Sequence, residues 1–152
     1  MNHYVPVCEE IMKNHIDIEI TVPNQTRYLS LVGKIGENMA HEIGGFTGDL
    51  ETLGHHLNVV LTEALVNAIK HADTADPNEE VHIRICVSDK ELLIRVYDNG
   101  KGFDLNLIPT TACPDPLNEQ GRGIYIIRSL MDSVEYKKAN GGNVLEMKKK
   151  LG

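Results

Sequence analysis

Apolar and polar residues alternate strictly along IDIEITVP, from Ile16 to Val22, and the run stops at Pro23. A period of two puts the isoleucines on one face and the acidic residues on the other, which predicts a half-buried strand. The period then changes. From Gln25 to about Ile43, the residues Leu31, Val32, Ile35, Met39 and Ile43 recur at helical spacing, with Asn24 in the N-cap position. The next stretch, GGFTGDLETLG, is rich in glycine and predicts a loop from Gly44 to Gly54. A second helix is expected from about His55 to His71, with Leu57, Val60, Leu61, Ala64, Leu65, Ala68 and Ile69 as its apolar stripe. VHIRICV from Val81 and ELLIRVYD from Glu91 follow, joined by Ser88-Asp89-Lys90, and together they predict a hairpin. After Asp98 comes NGKGFD, then a stretch with Pro109, Pro114 and Pro116 that cannot form a regular element. Helical periodicity resumes in GRGIYIIRSLMD, and SVEYKKANGGNVLEMKKK reads as strand, glycine turn and strand. The order β-α-α-β-β-loop-α-β-β predicts an α+β domain, a mainly antiparallel sheet with helices on one face.

Composition narrows the function classes. With 152 residues, 41% hydrophobic and 24% charged, the chain is expected to form one globular domain over 1–152. Its net charge of −7 argues against broad attraction to nucleic acid or to an anionic membrane. The basic run Lys148 to Lys150 reads as a solvated strand end. No 18 apolar residues run together, and MNHYVPVCEE turns acidic before an export signal could form, so a cytoplasmic location is expected. Cys8, Cys86 and Cys113 are far apart, which suggests neither a disulfide framework nor a zinc site. His55 and His56 are adjacent, diverge on a helix and make a poor metal pair.

Three short segments hold residues that a purely structural reading does not require. Glu63 and Asn67 are i and i+4 on the second helix, one turn apart on one face. The Asn67 side-chain oxygen suits Mg²⁺, an ion that keeps several waters and takes other ligands from phosphates. A carboxylate at Glu63 would then lie near a terminal phosphate, placed to orient or deprotonate an attacking hydroxyl or water. An amphipathic helix with a polar flank accounts for the same residues. Asp98 stands at a strand end, where its carboxylate can accept from an exocyclic amine. Gly100 and Gly102 after it let a planar ligand approach the main chain, although a simple turn explains D-x-G-x-G equally well. Gly121-Arg122-Gly123 precedes a helix, where backbone N–H groups and the dipole favour phosphate. It is no dinucleotide fingerprint, since Leu105 stands where G-x-G-x-x-G needs its third glycine, and G-x-x-x-x-G-K-[ST] does not occur.

In this order the motifs E-x-x-x-N-x-x-K-H, D-x-G-x-G and G-x-G resemble the GHKL nucleotide-binding fold of gyrase, Hsp90, histidine kinases and MutL. LTEALVNAIKHA, VYDNGKGFD and GRGIYIIRSLMDSVEY look most like the RsbW-type anti-sigma-factor serine kinases of bacterial partner-switching systems. The resemblance runs from about residue 16 to the end. It implies a two-layer α/β sandwich that binds Mg-ATP and phosphorylates a Ser or Thr on a STAS-domain anti-anti-sigma protein. It also implies sequestration of a sigma factor and a homodimer. By motif, Glu63 resembles the catalytic base, Asn67 the Mg²⁺ ligand, Asp98 the adenine-amine acceptor, and Gly100 and Gly102 the hinge beside the base. Gly121 and Gly123 would cradle phosphate with Arg122 between them, and Lys70 and His71 would contact phosphate or the lid, expected at about 104–120. Two positions depart from the pattern. Glu119 stands where some of these kinases carry an Arg for the γ-phosphate, a place Arg122 could fill, and Asn143 replaces the Thr that many members place near adenine but could still hydrogen-bond to the ligand through its side chain.

Two other readings compete with a kinase. A module that holds ATP as a structural ligand and regulates by sequestration alone has no use for a base at Glu63. The catalytic piece of a two-component histidine kinase would follow a helical hairpin carrying a phospho-accepting His, whereas the residues before the Asn-bearing helix read as one strand and one helix.

Overall fold

The structure, a computed structural model, describes residues 15–44, 46–70, 79–99, 121–139 and 141–152. Strands β1 (Ile16–Pro23), β2 (Glu80–Val87), β3 (Glu91–Asp98), β4 (Ser133–Ala139) and β5 (Gly142–Lys150) form one sheet in the order β1-β2-β3-β5-β4. Every neighbouring pair in it is antiparallel. The expected α+β architecture is therefore present. Because the strands keep a strict period of two, Ile18, Ile83, Ile85, Ile94, Val96, Leu145 and Met147 all point to one face. That face joins Leu57, Leu61 and Leu65 of the central helix in a single core. On the opposite face Arg84 grips Asp17 through two bonds of 2.9 and 2.6 Å, and Arg95 pairs with its register partner Glu146 at 2.8 Å. Cys86 and Leu93 form a separate buried pair there. Cys86 is disulfide-bonded, which corrects the expectation drawn from the wide cysteine spacing.

Among the described residues three helices cover the first face: α1 (Leu29–Ala40), α2 (Leu50–Lys70) and α3 (Arg122–Leu130). The first begins later than its periodicity predicts, after a 3₁₀ turn over Thr26–Tyr28, and Asn24 does not cap it. Instead the Asn24 backbone N–H donates to the Glu79 carbonyl at 2.7 Å, tying the chain to the approach to β2. The second begins earlier than predicted, at Leu50 rather than His55. Asp49 caps it, accepting from the backbone N–H groups of Glu51 and Thr52 at 3.3 Å and from Thr52 Oγ1 at 2.7 Å. Gly54, which reads as a loop residue, lies inside α2 where α1 crosses it. A Cβ there would stand 3.1 Å from the Glu37 carbonyl oxygen, so the glycine serves helix contact.

The Thr52 hydroxyl, then the Glu51 N–H, hold the Asp49 carboxyl below its usual range. A lowered native pKa stabilises the fold above the unfolded-state value, and the contribution disappears as pH falls through the native one. Asp49→Ala is therefore expected to lower the unfolding temperature at pH 7. Thermal scans of both proteins at pH 7 and pH 3 check it, with the gap shrinking in acid; an equal gap at both values would rule out the charged cap.

The hairpin β2–β3 closes as predicted, with Ser88 Oγ accepting from the Lys90 and Glu91 N–H groups at 3.2 and 3.1 Å. Gly141 turns β4 into β5 at a φ of 85°, a conformation that glycine adopts without steric cost. Lys149 is not simply solvated as expected, for its Nζ donates to the Leu130 carbonyl at the end of α3 at 3.0 Å. Among the described residues no group of three or more His, Cys, Asp or Glu could hold a metal, and no helix is long and apolar enough to cross a membrane.

Candidate functional site

Asp98 is the last residue of β3, on the helix-facing side of the sheet, where the strand period aligns it with Ile94 and Val96. It is buried, at 5% exposure, yet carries a carboxylate. Such a group needs strong partners. Asn143, its register partner in β5, donates from Nδ2 to Oδ1 at 3.0 Å, and Tyr136 in β4 donates its hydroxyl to Oδ2 at 3.0 Å. Burial, followed by the charge of Asp98 and the hydrogen bond to it, pushes the Tyr136 hydroxyl well above the ordinary tyrosine range. The phenol is a permanent donor at physiological pH. Each carboxylate oxygen has two acceptor positions, so these donors fix the rotamer and leave acceptor capacity for a ligand. Gly142 completes the arrangement, since a Cβ on it would overlap the Asp98 backbone oxygen.

The second group of residues lies where α2 meets α3. Glu63 and Asn67 are both half-buried, one turn apart on α2, while Lys70 ends the helix and is exposed. Gly121 is the N-cap of α3 with a φ of 85°, and Arg122 and Gly123 form the first helical positions, Arg122 exposed. Gly123 faces Glu63 so closely that an added Cβ would be 2.9 Å from Glu63 Oε2. The carboxylate thus sits at the positive end of α3, beside backbone N–H groups that the helix itself leaves unused.

The structure therefore brings together Glu63 with Gly123, and Asp98 with Asn143. It adds Tyr136, the last residue of the stretch GRGIYIIRSLMDSVEY, to which the motifs assigned no role: it reaches Asp98 only through the order β3-β5-β4. Asn143 is turned inward at 1% exposure, so its contact is with Asp98. His71, Gly100, Gly102, Glu119 and the expected lid at 104–120 lie outside the described residues.

A five-stranded antiparallel sheet with helices packed on one face is the architecture of an ATPase domain of the histidine kinase-like class. The histidine kinase-like ATPase domain family matches residues 22–149, and the chain belongs to it. Serine-protein kinase RsbW of Bacillus subtilis (strain 168) is 34% identical over 141 residues, 88% of this chain and 86% of that protein. The Bacillus velezensis serine-protein kinase RsbW is 31% identical over 148 residues, 92% of this chain and 89% of that protein. The catalytic domain of histidine kinase ThkA superimposes with a TM-score of 0.48 at 17% identity, covering 90% of this chain and 96% of that one.

Proposed function

We propose that this serine-protein kinase transfers the γ-phosphoryl group of Mg-ATP to a serine or threonine of a STAS-domain anti-anti-sigma protein, and also sequesters a sigma factor. The observation that carries the reading is the contact of α2 with α3: Glu63 stands against the first turn of a helix whose positive end suits phosphate, with Asn67 one turn away. Asp98 accepts from the exocyclic amine of adenine and so selects a 6-amino purine, while Gly100 and Gly102 allow the base to approach. Gly121, Arg122 and Gly123 hold the phosphates, and Lys70 and His71 contact them or the lid. Asn143 acts through Asp98.

In the transfer, Glu63 accepts the proton of the acceptor hydroxyl as the new bond from that oxygen to the γ-phosphorus forms. The bond from the γ-phosphorus to the β,γ-bridging oxygen breaks, and ADP leaves with its electron pair. Asn67 offers a neutral oxygen from a half-buried helix face, a donor that fits Mg²⁺ bound chiefly by phosphates and water. The ion, when bound, neutralises charge on the β- and γ-phosphates. The working unit we propose is a cytoplasmic homodimer.

Mass spectrometry after incubation with Mg-ATP and a STAS-domain acceptor tests the reading. A phosphoserine or phosphothreonine on the acceptor is expected; an acceptor that binds yet stays unmodified would favour sequestration alone. Calorimetry of Asn67→Ala adds a check on the metal. Mg²⁺ should tighten ATP binding by the wild type and make no difference to the variant, and a persisting Mg²⁺ effect would remove Asn67 from the metal site.

A further inference from the structure

Gly123 has no backbone reason to be glycine. The described glycines with positive φ are Gly121 and Gly141, and Gly123 lies within α3, where alanine is a better helix former. Nor does a phosphate cradle require it, because the cradle uses backbone N–H groups that alanine keeps. What the missing side chain gives is clearance toward α2. A Cβ at Gly123 would lie 2.9 Å from Glu63 Oε2, nearer than real Cβ atoms approach, and 3.8 Å from both the Cβ and the carbonyl oxygen of Glu63. Only the carboxylate end is crowded.

We infer that Gly123 is a positioning residue for Glu63: its bare Cα leaves the space in which the carboxylate reaches its working place. This rests on the reading of Glu63 as the base. A methyl group at residue 123 would push against the free end of a flexible side chain, so the carboxylate would swing away while the helices stay packed. The contrast is Gly142, where the obstacle is the Asp98 backbone and no side chain can yield.

The test compares Gly123→Ala, Glu63→Asp, the double variant and Glu63→Gln, using ATP affinity by calorimetry and phosphate release from Mg-ATP with water as acceptor. Gly123→Ala should lose roughly 100-fold in turnover at saturating ATP, well beyond any change in ATP affinity, the scale expected from misplacing a reacting group by about an ångström. Aspartate is one methylene shorter and would not reach the added methyl group. On the Glu63→Asp background, Gly123→Ala should therefore cost little, a coupling that a purely structural role would not produce. A further readout needs no turnover. The carboxyl ¹³C resonance of Glu63, assigned by its loss in Glu63→Gln, should shift in Gly123→Ala before nucleotide is added. Unchanged turnover, an unmoved resonance, a loss of ATP affinity that matches the loss of rate, or equal cost on both backgrounds would each overturn the inference. If Glu63→Gln alone keeps full turnover, the base assignment itself fails, a result distinct from a failure confined to Gly123.

Discussion

Asp98→Asn is expected to remove ATP binding from a calorimetric titration, a loss of about 100-fold or more in affinity. The carboxylate is buried, and both of its oxygens already accept, from Asn143 Nδ2 and from the Tyr136 hydroxyl. An amide has one acceptor oxygen and one NH₂ group. Whichever way it turns, one of those donors faces an NH₂, and the adenine amine loses a charged acceptor. Hydrogen bonds to a charged group contribute about 1.5–3 kcal/mol, and each 1.4 kcal/mol is about tenfold in affinity. Losing the ligand bond and disturbing the pair behind it accounts for about two decades. Tyr136→Phe removes one orienting donor and keeps the acceptor, so a loss of about tenfold is expected, with weakened preference for ATP over GTP. Circular dichroism of each variant separates lost binding from lost fold. ATP binding by a folded Asp98→Asn protein within threefold of the wild type would show that the adenine pocket lies elsewhere.

Glu63→Gln should abolish most phosphotransfer while ATP still binds. Glutamine has nearly the same shape, so the close approach to Gly123 is preserved and α2 and α3 keep their packing. What disappears is the proton acceptor. General-base assistance typically contributes about 10²- to 10⁴-fold, and a rate loss in that range is expected with little change in ATP affinity. Rapid-quench measurement of phosphate transfer to a STAS-domain acceptor checks it. Transfer at the wild-type rate would remove Glu63 from the chemistry and leave it as a helix-end anion.

Periodicity and motif order, both readable along the chain, determined a good deal about this protein. The period-two runs at Ile16–Pro23, Glu80–Val87 and Glu91–Asp98 and the turns at Ser88 and Gly141 are local features, and the strands formed where those patterns lie. Alternation on every strand also settled which residues face the helices. The same patterns misplaced the start of α2, because a glycine inside a helix has the same local signature as a loop glycine. At Gly54 the deciding partner is Glu37 on another helix. Tertiary structure alone decided the environment of the site. Tyr136 is 38 residues from Asp98 and meets it only because β5 lies between β3 and β4. Glu63 and Gly123 stand in separate motifs, and no spacing along the chain reveals that one supplies room for the other. Residue type and spacing announce which chemical groups are present, since those depend on covalent structure and local propensity. Which group orients which depends on sheet register and helix crossing, contacts that exist only once distant segments have packed.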